Sequence, residues 1–163
     1  MADRALPARV DAVRAFNRYY TRRIGLLRKD YLGSPFSLTP ARVLYEVARR
    51  PQATAADLGR DLDLDPGYLS RILSGFAGRG LIRRIPSASD GRRRLIALTA
   101  RGRDAFAPLD ARSHDETAAM LRRLTARDQA RLVGAMQTIR ALLEAGEPVR
   151  PPVRARRGRR SAR

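Results

Sequence analysis

Five arginines gather around one short turn. Arg83 and Arg84 lead into it, Arg92, Arg93 and Arg94 lead out, and Asp90-Gly91 lies between. A guanidinium carries a planar fork of N–H donors that matches phosphate oxygens and the acceptor edge of guanine. A second group stands upstream, in Pro66-Gly67-Tyr68-Leu69-Ser70-Arg71-Ile72-Leu73-Ser74. If Leu69, Ile72, Leu73 and Phe76 point inward, the outer face offers Pro66, Gly67, Tyr68, Ser70, Arg71 and Ser74. Arginine can pair with guanine, serine and tyrosine can donate to phosphate or base edges, and small residues let a helix sit deep in a groove. This is chemistry for holding a polyanion.

Bond-making chemistry has little to work with. The 163 residues include no cysteine and one histidine. Disulfides, thiolate metal sites and a cysteine nucleophile are excluded. His114, even beside Asp115, cannot build a zinc site alone, and it reads as a surface or interface residue. No Gly-rich phosphate loop or paired-carboxylate motif stands out. The expectation is a non-enzyme without cofactor or metal. The start, Met1-Ala2-Asp3-Arg4-Ala5-Leu6-Pro7, lacks an apolar signal core, and no apolar run is long enough to span a bilayer. A soluble cytoplasmic protein without membrane contact is therefore expected.

The net charge of +18 points to a polyanionic partner, and its placement says more than its size. Residues 39–78 balance, with five arginines against five acids. Residues 79–94 carry six arginines against Asp90 alone, and residues 148–163 carry seven arginines and no acid. A local excess on a hairpin is what phosphate binding needs; the alternative is a hairpin that only solubilises the chain.

The elements that must position these groups follow from periodicity. Residues 8–30 read as a long helix, with Val10, Val13, Phe16, Tyr20, Ile24 and Leu27 at three- and four-residue steps. Thr39-Pro40 starts a second helix running to about Arg49, with Val43, Leu44 and Val47 inward. Thr54 caps a third, Ala55 to Leu62, with Ala56 and Leu58 buried. Asp65-Pro66 opens the fourth, which Gly80 ends in the left-handed conformation. Period-two alternation follows: Ile82 and Ile85 before the turn, then Leu95 and Ala97 or Leu98 after it. Thr99 begins a helix to about Leu124, which Pro108 either kinks or divides. Thr125 with Asp128 starts the last helix, carrying Leu132, Val133, Met136, Ile139, Leu142 and Leu143.

The expected fold is mainly α with a small β-hairpin wing: a winged helix-turn-helix over 38–99 within one domain spanning 1–147. Helices over 8–37 and 100–147 serve dimerisation. The segment 148–163 cannot bury a core and reads as a disordered Arg-rich tail. The tail either adds sequence-independent phosphate contacts or is a solvated remnant.

The chain resembles the MarR family of bacterial transcription regulators. The residues that carry the likeness are Leu38-Thr39-Pro40-Ala41-Arg42-Val43-Leu44, Ala55-Ala56-Asp57-Leu58, Leu69-Ser70-Arg71-Ile72-Leu73, Arg79-Gly80-Leu81-Ile82-Arg83-Arg84, Asp90-Gly91-Arg92-Arg93 and Leu98-Thr99-Ala100-Arg101-Gly102. Phe16-Asn17-Arg18-Tyr19-Tyr20-Thr21 with Leu32-Gly33-Ser34-Pro35-Phe36 is similar to MarR proteins fused to a GNAT acetyltransferase. The sequence ends before any such domain and shows no acetyl-CoA pyrophosphate loop, so no enzyme activity is carried over. The resemblance implies a homodimer with intertwined terminal helices and two winged modules on a palindromic operator. It also implies repression relieved by small phenolic or antibiotic-like ligands.

Roles follow for single residues. The fourth helix reads double-stranded DNA; Arg71 either contacts it or pairs with Asp65 or Asp61. Arg84, Arg92, Arg93 and Arg94 supply the wing contacts. Arg92 sits at the tip, where it can enter an A·T-rich minor groove. Asp90 braces an arginine or the turn backbone, the division of labour that the family's Asp-x-Arg pattern implies. Arg93 and Arg94 alternate sides, so one faces away. Phe16, Tyr20, Ile24, Leu132, Val133, Met136, Ile139, Leu142 and Leu143 are the expected dimer interface. Phe16, Tyr19, Tyr20, Tyr31, Phe36 and Tyr45 either line an effector pocket or serve packing. The competing function is an architectural protein that binds DNA by charge with little sequence choice.

Overall fold

The computed structural model describes residues 4–26, 31–87 and 90–146. The expected tail and Leu27 lie outside them. Six helices and one hairpin follow in the order α1 (Leu6–Arg23), α2 (Leu38–Arg49), α3 (Ala55–Asp61), α4 (Pro66–Gly78), β1 (Ile82–Pro86), β2 (Arg94–Leu98), α5 (Ala100–Leu121) and α6 (Ala126–Gly146). This is the mainly α, winged helix-turn-helix architecture that the periodicity implied.

Several boundaries move for identifiable reasons. α1 stops at Arg23, not Asp30, because Gly25 takes φ +69°. Its N–H donates to Arg22 O, and the Leu26 N–H reaches back to Thr21 O, which closes the helix with a left-handed glycine. α2 begins two residues early: Ser37 is the N-cap, and Thr39 and Pro40 fall inside the first turn, where a missing N–H costs nothing. α5 remains one helix across Pro108 and ends at Leu121.

The other caps fall where the side chains place them. Thr54 and Asp57 form a reciprocal capping box on α3. The Asp65 carboxylate accepts the Tyr68 N–H at 2.8 Å and opens α4 with Pro66 behind it. Gly80, at φ +68°, ends α4 as Gly25 ends α1, with the Leu81 N–H donating to Phe76 O.

The core is built by α2, α3, α4, the hairpin and the first half of α5. Val43, Leu44 and Val47 meet Leu58, Leu69, Ile72, Leu73 and Phe76, with Phe36, Leu81 and Leu109 around them. Ala56, expected inside, is exposed; Ala41 and Ala53 are the buried alanines instead. In the antiparallel hairpin Ile82 pairs with Leu98, Arg84 with Ile96 and Pro86 with Arg94. Paired residues share a face, so Ile82, Ile96 and Leu98 are buried while Leu95 is only half-buried. Ile85 pairs with Leu95 on the face opposite Ile82, so the apolar residues expected on β1 do not share a face, and on β2 the buried phase runs through Ile96 and Leu98 instead of Leu95 and Ala97. Leu95 forms a bridge with Thr54, and the Ile96 N–H donates to Ala53 O at 2.9 Å, so the hairpin gains a third backbone partner from the α2–α3 loop.

α1 and α6 contain no buried residue. Among the described residues no helix is long and apolar enough to cross a membrane.

Candidate nucleic-acid interface

Most arginines on the helical part of the motif are answered by a carboxylate. Arg42 pairs with Glu46 at 2.9 Å, Arg49 with Asp110 at 3.7 Å, Arg60 with Asp57 at 3.1 Å, and Arg50 with Asp61. Arg71, Arg83, Arg84, Arg92 and Arg94 have no carboxylate partner among the described residues. The first stands on α4 and the rest on the hairpin. A guanidinium with no internal anion keeps its full attraction for an external one.

On α4, Leu69, Ile72, Leu73 and Phe76 are buried. Pro66, Gly67, Tyr68, Ser70, Arg71 and Ser74 form an exposed outer face, as the spacing required. Arg71 pairs with neither Asp61 nor Asp65. Its guanidinium lies 5.9 Å from the Tyr68 ring centre, stacked along the helix surface. Asp65 is committed to the cap and Asp61 to Arg50.

On the hairpin, Asp90 works through the backbone. Its Oδ1 accepts the Arg92 N–H at 3.0 Å and its carbonyl accepts the Arg93 N–H at 2.9 Å. Arg92 is exposed at the turn. Arg93 faces α3, with Nη2 3.5 Å from Asp57 Oδ2. Arg84 and Arg94 lie on the face that further down carries Ile82, Ile96 and Leu98. Arg83 lies on the opposite face.

Asp57 is the most constrained carboxylate of the site. The Thr54 N–H donates to its Oδ2 at 3.0 Å and the Thr54 hydroxyl at 2.7 Å. These bonds, with the Arg60 guanidinium, hold its carboxyl down at about 2 against an ordinary 3.8. The sequence marks Thr54 as the cap, and the fold adds Asp57 as its reciprocal partner. Nothing local announced Arg93, 36 residues further on.

The six aromatics do not gather in one place. Phe16 and Tyr20 stack on α1 at 5.7 Å, with Tyr19 exposed beside them. Phe36 is buried edge-on against Phe76, and Tyr45 packs on Phe106 with Arg42 and Arg49 over its ring. Tyr31 is half-buried against the core. Among the described residues no cavity brings them together: Tyr19 lines one of about 690 Å³ along α1, and Phe36 borders another. A third, about 780 Å³, opens between α2, the hairpin base and α5, with Val47, Leu98 and Phe106 beside Arg83, Arg103 and His114. The one at Phe36, about 270 Å³, is also bordered by Arg79, Leu109 and Arg112.

The expected dimer residues lie open. Phe16 on α1 is 47% exposed, and Ile24 just past its end is also exposed. Val133, Met136 and Ile139 are exposed along α6, and Leu142 and Leu143 are 69% and 67% exposed. Tyr20 and Leu132 are half-buried.

Residues 34–93 match the family model of the MarR family. No curated protein matches the sequence. Among solved structures, apo MarR from E. coli superposes with a TM-score of 0.62 at 22% identity, covering 77% of this chain and 94% of that one. A point mutant of that protein complexed with operator DNA superposes at 0.63 and 21%, covering 85% and 99%. The PcaV transcriptional regulator from Streptomyces coelicolor, in complex with its natural ligand, superposes at 0.58 and 21%, covering 90% and 99%. Residues 34–93, which hold α2, α3, α4 and β1, thus match the MarR family model, and the chain has the fold seen in the MarR and PcaV structures.

Proposed function

We propose that the chain is a sequence-specific, DNA-binding transcriptional regulator of the cytoplasm, acting as a homodimeric repressor on a palindromic operator. The observation that carries the reading is the sorting of charge. Within residues 39–78 the arginines off α4, Arg42, Arg49, Arg50 and Arg60, each face an acid, while Arg71, Arg84, Arg92 and Arg94 are left for an external anion. Tyr68, Ser70, Arg71 and Ser74 supply base and phosphate contacts in the major groove, with Pro66 and Gly67 allowing close approach. Arg92 enters the flanking minor groove.

The open apolar faces of α1 and α6 support the dimer. Burying Phe16, Ile24, Val133, Met136, Ile139, Leu142 and Leu143 against a second copy removes from water a surface that one chain leaves wet. Two-fold symmetry then presents two reading helices to half-sites about 34 Å apart. A small aromatic or phenolic effector fits the larger cavity, where it would sit between the hairpin base and α5. The ligand-bound PcaV structure is the precedent.

Selection of bound DNA from a random pool tests the reading, and a palindromic consensus is the expected result. Recovery of unrelated sequences refutes it and favours the architectural alternative, which the seven arginines of residues 148–163 support. In competition with unrelated DNA, a regulator should prefer its operator by about a thousandfold or more.

A further inference from the structure

We propose that Arg93 positions the wing instead of touching DNA: Asp57 of α3 holds its guanidinium and so sets the direction in which Arg92 and Arg94 point. A two-stranded ribbon has little stiffness of its own, so its pitch depends on what grips it. At the base, the Ile96 N–H is bonded to Ala53 O, and Leu95 bridges Thr54. At the tip, Asp90 closes the turn through the N–H groups of Arg92 and Arg93. Between them, Arg93 stands two residues before Leu95 and, by strand alternation, on the same side, toward Thr54 and α3.

Asp57 suits the part of anchor. Its Oδ2 already accepts the Thr54 N–H and hydroxyl, and its Oδ1 accepts Arg60 at 3.1 Å, so the carboxylate has a single orientation. Arg93 closes on Oδ2 at 3.5 Å with its side chain 53% exposed. An ion pair this open adds little to stability, and its consequence is orientation. The flanking arginines, Arg92 and Arg94, have no such tether. The run Arg92-Arg93-Arg94 therefore divides into two ligand-facing groups and one brace.

The inference rests on the DNA-binding reading for one arm of its test and not for the other. The variants are Arg93→Gln, Asp57→Asn and the double. Asparagine keeps a carbonyl oxygen for Thr54, so α3 stays capped while the charge facing Arg93 is lost. Without DNA, amide exchange is followed at Ser87, whose N–H donates to Arg93 O at 3.0 Å. Each single variant should quicken exchange there by about 3-fold or more, and the double no further. With DNA, each should weaken binding by about 3- to 10-fold, the two effects should not multiply, and the slope of log K against log salt should stay unchanged. Unchanged exchange at Ser87 in both singles overturns the brace. A shallower salt slope for Arg93→Gln, with Asp57→Asn binding as the parent does, overturns it in favour of a phosphate contact. A chain indifferent to DNA refutes the proposed function, while the exchange arm still decides the brace.

Discussion

Replacing Gly102 with alanine is expected to destabilise the fold, although the position lies in the first turn of a helix, where alanine is ordinarily the better residue. Leu81, the residue between α4 and β1, has its carbonyl turned toward α5. That carbonyl accepts the Thr99 N–H at 3.0 Å, and the Thr99 hydroxyl donates to Gly80 O at 2.6 Å. The Gly102 N–H closes the set by donating to Thr99 Oγ1 at 2.9 Å. A methyl on Gly102 would stand 2.8 Å from the Leu81 carbonyl carbon and 3.3 Å from its Cα, and closer still to its oxygen. These are backbone atoms, so no side-chain rotation relieves the clash, and α5 must lift from the wing base. Overpacking costs about 1–3 kcal/mol, and against backbone atoms the upper end applies; less a propensity gain of about 1 kcal/mol, a net loss of about 2 kcal/mol is expected. Gly75→Ala on α4 is the control, because a Cβ there meets nothing within 4 Å. It should stabilise by about 0.5–1 kcal/mol. Urea denaturation at one protomer concentration reads both. A Gly102→Ala protein at least as stable as the parent refutes the packing argument.

Arg92→Ala should weaken operator binding by at least about 1 kcal/mol in a gel-shift titration, with the oligomeric state in light scattering unchanged. Arg71→Ala should relax sequence preference in a selected pool; equal weakening on all sequences would make Arg71 a phosphate contact only. Leu142→Glu with Leu143→Glu should shift light scattering from dimer to monomer, and an unchanged mass would exclude that face as the interface. Asp57 titrates below its ordinary value in the fold, so its contribution to stability is complete above about pH 4 and is lost as pH falls through about 2. Asp57→Asn should remove that component from the acid limb of a stability–pH curve, and an identical limb would refute the assignment.

Local chemistry was readable where a residue acts on its neighbours. Thr54, Asp65 with Pro66, Thr99, and Thr125 with Asp128 each cap a helix through atoms three or fewer residues away. The buried stripe of α4 follows from its 3.6-residue period, which fixes its outer face as well. Boundaries slipped where one backbone angle decides. Gly25 inside an apolar repeat looks like helix until its φ turns positive, and a proline can sit at several places in a first turn. The phase of β2 slipped because Leu95-Ile96 offers two apolar residues in a row, and only pairing with Ile82 and Arg84 selects which one faces the core.

The amino-acid order alone determined that the chain is a helical domain with a basic hairpin, because helix periods, caps and local charge excess are properties of adjacent residues. Tertiary structure decided which charges remain available. Whether Arg71 meets an acid, whether Arg93 faces α3, and how close Leu81 comes to Gly102 depend on residues brought together across the chain. Distances between residues far apart in sequence are set by packing, and electrostatic and steric energies depend on those distances.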